Sequence, residues 1–393
     1  MGRISKKGKA VKASPEQIEQ MISEQGLLSF AMAEFSRATL TAAVERICDT
    51  IKGAQSWGEE QGFVRAGLIR VPIQRPRVRF DGRELAIPEY DLLQRRSEFD
   101  EATRRAVMGG LTTRQFKRVG EALGRSKGLS KSTIARVSKS FAKDFERLMS
   151  QDCKDVAAVI IDGIHFTDEL CVIAALGISQ FGSRRLLGLW AGTTESREVV
   201  GSMFDDLKDR SLNPKLFVID GSKGLRSAID RKFSWVPVQR CQLHKKRNIL
   251  DHLEDKHHHW AVQEMAAIFK APSIGSALER GRAFSRDLGR INESARRSWD
   301  EAFPETITIL QVQSEELRRT LSTTNPIESL FSVIRSITGR VKRWRSATHA
   351  LYWCAGSYFR VEKRLRRVRG FRDLDQLTKV GLKIEEVAAP AAA

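Results

Sequence analysis

The chain is poor in what membrane or secreted proteins need. Among its 393 residues no run approaches the ~18 consecutive apolar residues of a membrane span, which excludes a helical membrane protein. The opening MGRISKKGKAVKASPEQ is basic but has no apolar centre, so it does not read as a secretory signal. Cysteine is scarce: Cys48, Cys153, Cys171, Cys241 and Cys354 are odd in number, scattered, and form no C-x-x-C pair. That argues against a disulfide framework and predicts the reduced thiols of an intracellular protein. Negative charge is also short, with 48 acidic against 67 basic side chains, a net charge of +19. Such an imbalance predicts a polyanionic partner, nucleic acid first and a membrane surface second. The length predicts two or three domains.

The stretch that organises the rest runs from Lys215 to Arg247. The apolar run Leu216-Phe217-Val218-Ile219 stops at Asp220-Gly221, as a buried strand with a carboxylate at its carboxyl end would. Upstream, Val156 to Ile161 repeats the pattern and stops at Asp162-Gly163. If the two strands are neighbours, two carboxylates meet, and they repel unless a cation lies between them. Oxygen ligands of this kind suit a hard ion such as Mg²⁺.

Taken in order, residues 1–98 read as a helical and β-ribbon region for DNA binding or dimerisation. The first 16 residues are a polar tail, 15–51 are helical, and Gly62 to Arg83 is extended, ending in the turn Asp81-Gly82. Arg65, Arg70, Arg75, Arg77 and Arg79 stud the extended part, either as a DNA-contacting ribbon or as the solvated face of a small sheet. Residues 99–150 fit a helix-turn-helix: an amphipathic helix from Thr113 to Leu123, a Gly-containing turn, and a second helix that presents Lys131, Ser132, Thr133 and Arg136 to DNA.

A sheet begins at Val156. The first strand ends at Asp162, Leu170–Ile178 and Arg184–Trp190 follow as a meander, and helix, strand, helix and strand then alternate up to Val238. That is the order of an RNase H-like α/β domain, whose first and fourth strands are adjacent. It places the first part of a catalytic domain over 151–255, an all-α insertion over 256–320, C-terminal helices over 321–372 and a tail over 373–393. In Thr324-Asn325-Pro326-Ile327-Glu328, Thr324 or Asn325 caps a helix. Glu328 there either points toward the aspartates or favours the helix dipole as an ordinary first-turn Glu. Beyond it Arg335, Arg340, Lys342, Arg343 and Arg345 form a basic tract suited to phosphates.

These residues resemble one family, the mutator-type DDE transposases of bacterial insertion sequences. The resemblance rests on IIDGIHF, LGLWAGTTES, FVIDGSKGLRSAI, RCQLHKKRNIL with Cys241-x-x-His244, and TTNPIESLFSVIR, in that order, over about 155–360. It implies Mg²⁺-dependent DNA cleavage and strand transfer by an RNase H-like domain with an α-helical insertion. On that basis Asp162, Asp220 and Glu328 are the expected catalytic and metal-binding set, holding two Mg²⁺, with Mn²⁺ as a substitute. Double-stranded DNA, as terminal inverted repeats and target, is the expected partner, held by a homodimer or larger assembly.

Other readings remain at this stage. Cys241 and His244 lie near the expected site, Cys241 packed under the sheet and His244 bonded to a carboxylate or phosphate; zinc is the alternative, although a second Cys/His pair is wanting. His165 approaches the site or belongs to a turn. Trp260 and Trp299 are core residues or stack on an unpaired base. A nuclease without strand transfer and a non-enzymatic DNA-binding regulator are the competing functions.

Overall fold

Two stretches of strand pattern, separated by helical sequence, become two separate sheets. The structure is a computed structural model that describes residues 27–66, 69–94, 108, 131–167, 169–192, 197–339, 341 and 344–381. The chain divides into two compact units, Met1–Lys139 and Ser140–Ala393.

In the first unit, helix α1 (Leu27–Thr50) lies on an antiparallel sheet of β1 (Gln55–Ala66), β2 (Ile69–Phe80) and β3 (Arg83–Leu85), followed by α2 (Pro88–Leu93). Leu40, Ala43 and Val44 of the helix pack on Val64, Val71, Ile73 and Val78, the inward residues of the strands. Asp81 and Gly82 make the β2–β3 turn with φ of 48° and 71°, the left-handed pair that a two-residue hairpin demands. Strand β2 carries two prolines. Pro72 pairs with Phe63, whose N–H points away to the Tyr90 hydroxyl. The pair is therefore of the non-hydrogen-bonded type, and the missing proline N–H lies on the side away from β1. Pro76 shares that parity, and β3 pairs only from Val78 onward.

The arginines of this sheet are mostly engaged. Arg75 and Arg77 are bonded to Glu60 and Glu84, and Arg70 and Arg79 lie over the rings of Phe63 and Trp57, at 3.4 and 4.7 Å. Of the expected helix-turn-helix, the first helix and the turn fall outside the described residues. Helix α3 (Lys131–Met149) is the second, but the side chains of Lys131, Ser132, Thr133 and Arg136 are likewise outside. Its last turns belong to the second unit, where Phe141, Phe145 and Leu148 pack against Trp353, Tyr352 and the sheet.

The second unit is built on five strands in the order β6-β5-β4-β7-β8: β4 (Val156–Thr167), β5 (Leu170–Ser179), β6 (Arg184–Gly192), β7 (Leu216–Ile219) and β8 (Val238–Arg240). The first three form the expected antiparallel meander, and β7 runs parallel to β4. One expectation is corrected. Strand β4 does not end at Asp162 but runs on to Thr167, because β5 pairs with it along its whole length, Gly163 opposite Ile173. His165 is therefore an exposed strand residue, not a turn residue.

Side chains alternate across this sheet. Val159, Ile161, Phe217 and Ile219 pack under α4 (Arg197–Asp209) and α5 (Lys223–Lys232). Ala158, Ile160, Ile164, Leu216 and Val218 face the other layer, made by α12 (Asn325–Thr338), α13 (Ala347–Val361) and the end of α3.

Between β8 and α12 the chain is helical: α6 (Gln242–Leu250), α7 (Asp255–Phe269), α8 (Ile274–Ile291), α9 (Glu293–Asp300), α10 (Phe303–Thr306), a 3-10 turn (Thr308–Gln311) and α11 (Glu315–Leu321). Much of this segment closes around Trp299. Its indole is fully buried, donates to the Gly281 carbonyl at 3.1 Å and stacks on Phe303 at 4.5 Å. A side chain at 281 would collide with Phe303, since an added Cβ would lie 2.0 Å from that ring. Trp299 thus has no surface to offer a base and takes the core alternative; Trp260 is half-buried against Phe284. Replacing Trp299 by Ala should cost about 3–5 kcal/mol of unfolding free energy in chemical denaturation. A loss below 1 kcal/mol would show that the helical segment does not depend on this residue.

Candidate active site

Parallel pairing sets the first two carboxylates. Ile161 is opposite Ile219, and the next residue on each strand is an aspartate, Asp162 and Asp220. By alternation Asp162 shares the face of Ile160 and Ile164, which is the face that α12 covers. On α12 the apolar stripe Ile327, Leu330, Phe331 and Ile334 is buried against that face, and Glu328 stands beside it, half-buried. Asp162 and Asp220 are half-buried as well.

The three acids share one electrostatic neighbourhood. Burial pushes the Asp162 carboxyl up to about 7; the Gly163 N–H, 2.8 Å away, and His244 oppose this, while the charges of Asp220 and Glu328 add to it. Asp220 accepts the Ser222 N–H at 3.0 Å, which turns the chain into α5, where the Ser222 hydroxyl caps the Leu225 N–H.

Glu328 is held from its own helix and from α6. The Thr324 hydroxyl donates to Glu328 Oε1 at 2.8 Å, and His244 Nε2 lies 3.8 Å from the same oxygen. Thr324, one of the two residues expected to cap α12, occupies the N-cap position, but its side chain makes no capping bond. A cap accepts a first-turn N–H on its side-chain oxygen, and the Thr324 hydroxyl is turned instead toward the Glu328 carboxylate. The Thr324 N–H points instead at Cys241 Sγ, 3.4 Å away. Burial works to raise the Cys241 thiol, but hydrogen bonds from His244 and Thr324 outweigh it and hold it below its ordinary value. The bond to Cys241 in turn raises His244 to about 9, against its own burial and with help from Asp162 and Glu328. Cys241, His244, Thr324 and Glu328 are thus one connected polar cluster beside the two aspartates.

Two further residues that sequence reasoning missed act on this cluster's surroundings. Arg240, at the end of β8, donates to the Gly221 carbonyl at 3.1 Å and to Glu305 of α10 at 2.9 Å. No local pattern marks Glu305, because its partners are distant in sequence.

Among the described residues no group of three His, Cys, Asp or Glu side chains is drawn together tightly enough to chelate one ion. The three consecutive histidines do not converge either: His258 bonds the Leu250 and Leu253 carbonyls, and His259 contacts Gln263. Of the basic tract, Arg335 and Arg345 are exposed, and Arg340, Lys342 and Arg343 lie outside the described residues. A groove of about 710 Å³ opens beside Gln242 and Thr323, with Lys246, Lys270, Arg318 and Arg319 around an apolar floor that includes Met265 and Phe269.

The raised Asp162 has a consequence for stability. Between the ordinary 3.8 and about 7 the folded chain holds a proton that the unfolded chain releases. This group's contribution to stability therefore falls as pH rises through that window. Asp162→Asn, which cannot ionise, should unfold at a higher urea concentration than the natural chain at pH 8, and the advantage should shrink toward pH 5. Equal midpoints at pH 8 would show that the carboxylate carries no such penalty.

Comparison with known proteins agrees with the motifs. The Mutator-family transposase model matches residues 63–348. The transposase for insertion sequence element IS6120 of Mycolicibacterium smegmatis is 29% identical over 235 residues, 58% of this chain and 72% of that protein. The transposase for ISRM3 of Rhizobium meliloti is 31% identical over 187 residues, 46% of each chain. That for IS256 in transposon Tn4001 of Staphylococcus aureus is 29% identical over 242 residues, 58% of this chain and 61% of that protein. The chain thus spans about half the length of the Rhizobium protein. Among solved structures, the Drosophila P element transposase strand transfer complex covers 75% of this chain and 86% of its own at 10% identity, with a TM-score of 0.28, too low to bear on the fold. Since the family match spans well over half of the sequence and includes Asp162, Asp220 and Glu328, the chain belongs to the Mutator family of transposases.

Proposed function

We propose that this transposase binds the terminal inverted repeats of its element and cuts and rejoins DNA with Asp162, Asp220 and Glu328 as its catalytic carboxylates, on an RNase H-like sheet interrupted by a helical insertion. The observation that carries the reading is the paired end of β4 and β7. It brings two carboxylates to adjacent strands, on the face where α12 lays the third.

Although the three carboxylates are not drawn together as tightly as one ion requires, by its chemistry the donor set suits divalent magnesium. It is all hard oxygen, half-buried, and mutually repulsive enough to contribute to the rise of Asp162. Asp162, Asp220 and Glu328 would hold the ions. When bound, such ions activate a water or 3′-hydroxyl and stabilise the leaving oxygen, so no protein nucleophile is needed. The chain's own residues do the positioning. Thr324 and His244 fix the Glu328 carboxylate, and the Ser222 N–H fixes that of Asp220. His244, raised to about 9, also supplies a positive charge that offsets the crowded acids. Manganese would fill the same oxygen site. Zinc would draw on Cys241 and His244, and these are engaged with Thr324 and Glu328.

Exposed Arg335 and Arg345 and the cationic groove beside Thr323 supply phosphate contacts, and the net charge of +19 favours DNA as the partner. The α3 residues Lys131, Ser132, Thr133 and Arg136 are proposed to read the repeat sequence. Joining two ends calls for a dimer or larger assembly.

Purified protein, element-end DNA and Mg²⁺ test the reading. Joined products are expected from the natural chain. Asp162→Asn, Asp220→Asn and Glu328→Gln should each lower cleavage about a thousandfold or more while end binding survives. Cleavage without joining would mean a nuclease, and a gel shift without products would mean a regulator. Near-natural cleavage by any of the three variants would remove that residue from the set. In a separate titration, raising salt from ~50 to ~200 mM should weaken end binding by about a thousandfold if six phosphates are contacted and by about a hundred-thousandfold if ten are. Arg335→Ala and Arg345→Ala should each reduce the slope of that dependence by about one; an unchanged slope would exclude them from the interface.

A further inference from the structure

The carboxylate Glu305 of α10 lies between two arginines of the sheet unit. Its Oε2 accepts from Arg240 Nε at 2.9 Å and its Oε1 from Arg226 Nε at 2.5 Å. Arg240 is 7% exposed, so its charge is almost wholly removed from water and depends on this partner. The same guanidinium sends its Nη1 to the Gly221 carbonyl at 3.1 Å. Gly221 directly follows Asp220. On the other side of the turn, Asp220 accepts the Ser222 N–H, and the Arg226 N–H returns to the Ser222 carbonyl at 3.1 Å. The loop that presents Asp220 is therefore tied at Gly221 to Arg240, which shares one glutamate with Arg226 in the first turn of α5. That glutamate comes from the helical insertion.

The insertion is fixed here by more than this. Gln239 and Gln242 both donate to the Thr306 carbonyl at 2.8 Å, the Thr308 hydroxyl donates to the Val238 carbonyl at 2.7 Å, and the Ile309 N–H donates to Gln239 Oε1 at 2.8 Å. Glu305 thus stands on a short helix whose place along β8 is set on its C-terminal side. It can transmit a position, where a carboxylate on a loose loop could not.

We infer that Glu305 and Arg240 are positioning residues for Asp220, through which the helical insertion sets the geometry of the carboxylate site. The inference rests on the reading of Asp220 as a metal-binding carboxylate. Arginine is required at 240 because only a fork can donate to Glu305 and to Gly221 together; a lysine offers a single ammonium to two acceptors on different segments. Glu305→Gln keeps the shape of the side chain. It withdraws the charge that both arginines share and replaces one acceptor oxygen with a donor, so one arginine must lose its bond. In either case the Gly221 carbonyl is less firmly held, and the neighbouring carboxylate becomes less well ordered before any ion arrives.

The test uses the full chain and Mn²⁺ alone, followed by electron paramagnetic resonance as the ion binds, with cleavage of end DNA as a second readout. Glu305→Gln and Arg240→Lys should each weaken Mn²⁺ binding about tenfold, the scale on which partners of metal ligands act. The Mn²⁺ concentration for half-maximal cleavage should rise in step, while cleavage at saturating Mn²⁺ stays near that of the natural chain. Circular dichroism and the thermal midpoint establish that each variant is folded. The control Glu293→Gln removes exposed ion pairs with Arg296 and Arg297 in the same insertion and should leave Mn²⁺ binding unchanged. Natural Mn²⁺ affinity in a folded Glu305→Gln or Arg240→Lys chain overturns the inference, as does equal weakening in Glu293→Gln. Asp220→Ala separates the two levels. If it loses Mn²⁺ while Glu305→Gln does not, only the positioning role fails. If Asp220→Ala binds Mn²⁺ as the natural chain does, the metal reading fails and this inference with it.

Discussion

The candidate site depends on the parallel pairing of β4 with β7. The pairing ends at Ile161 opposite Ile219, and each strand continues into an aspartate. The two strands then part company. β7 ends because Asp220 accepts the Ser222 N–H and turns the chain into a helix, whereas β4 goes on because β5 still pairs with it. Asp162 is thereby left in a strand that is supported on one side and open on the other. Register is decisive here: a slip of one residue would send Asp162 to the α4 and α5 layer, away from Glu328. Continuous apolar packing on both faces of β4, from Ala158 to Ile161, resists such a slip.

Much of this was legible from residue order. The runs ending in Asp-Gly, the short links of the meander and the alternation of helix and strand gave the order of the sheet, because each signal is local. What was misread depended on partners. Asp162-Gly163 looks like a strand end and a turn when taken alone. The glycine remains in the ladder because Ile173 lies opposite it, a fact that belongs to β5. Thr324 has the composition of a helix cap, yet its hydroxyl turns to Glu328, a charged acceptor one helical turn along. For Trp299 the sequence left a core residue and a stacking platform both open. Its burial follows from Gly281 and Phe303, which only the folded helical segment brings to it. The link from Arg240 to Glu305 joins residues 65 apart and left no periodic trace.

The helical segment between Asp220 and Glu328 also protects the sheet. β8 is an edge strand, three residues long, and an edge presents backbone groups that need partners. The Thr308 hydroxyl bonds the Val238 carbonyl and the Gln239 side chain bonds the Arg240 carbonyl, while the backbone of 306–309 holds the Gln239 side chain in place. The same contacts lead the chain back from its excursion toward α12, so covering the edge and delivering Glu328 are achieved by one piece of backbone.

In the first unit, the prolines of β2 place two positions without an N–H on the side that β3 is too short to reach. A strand gap of that kind is an invitation to any extended segment, including one from a newly made copy of the same polypeptide. An incoming ladder needs donors at alternate positions, and at Pro72 and Pro76 it meets none. The prolines thereby discourage a further strand on that flank, and copies crowded together during synthesis have one less way to fuse into aggregates.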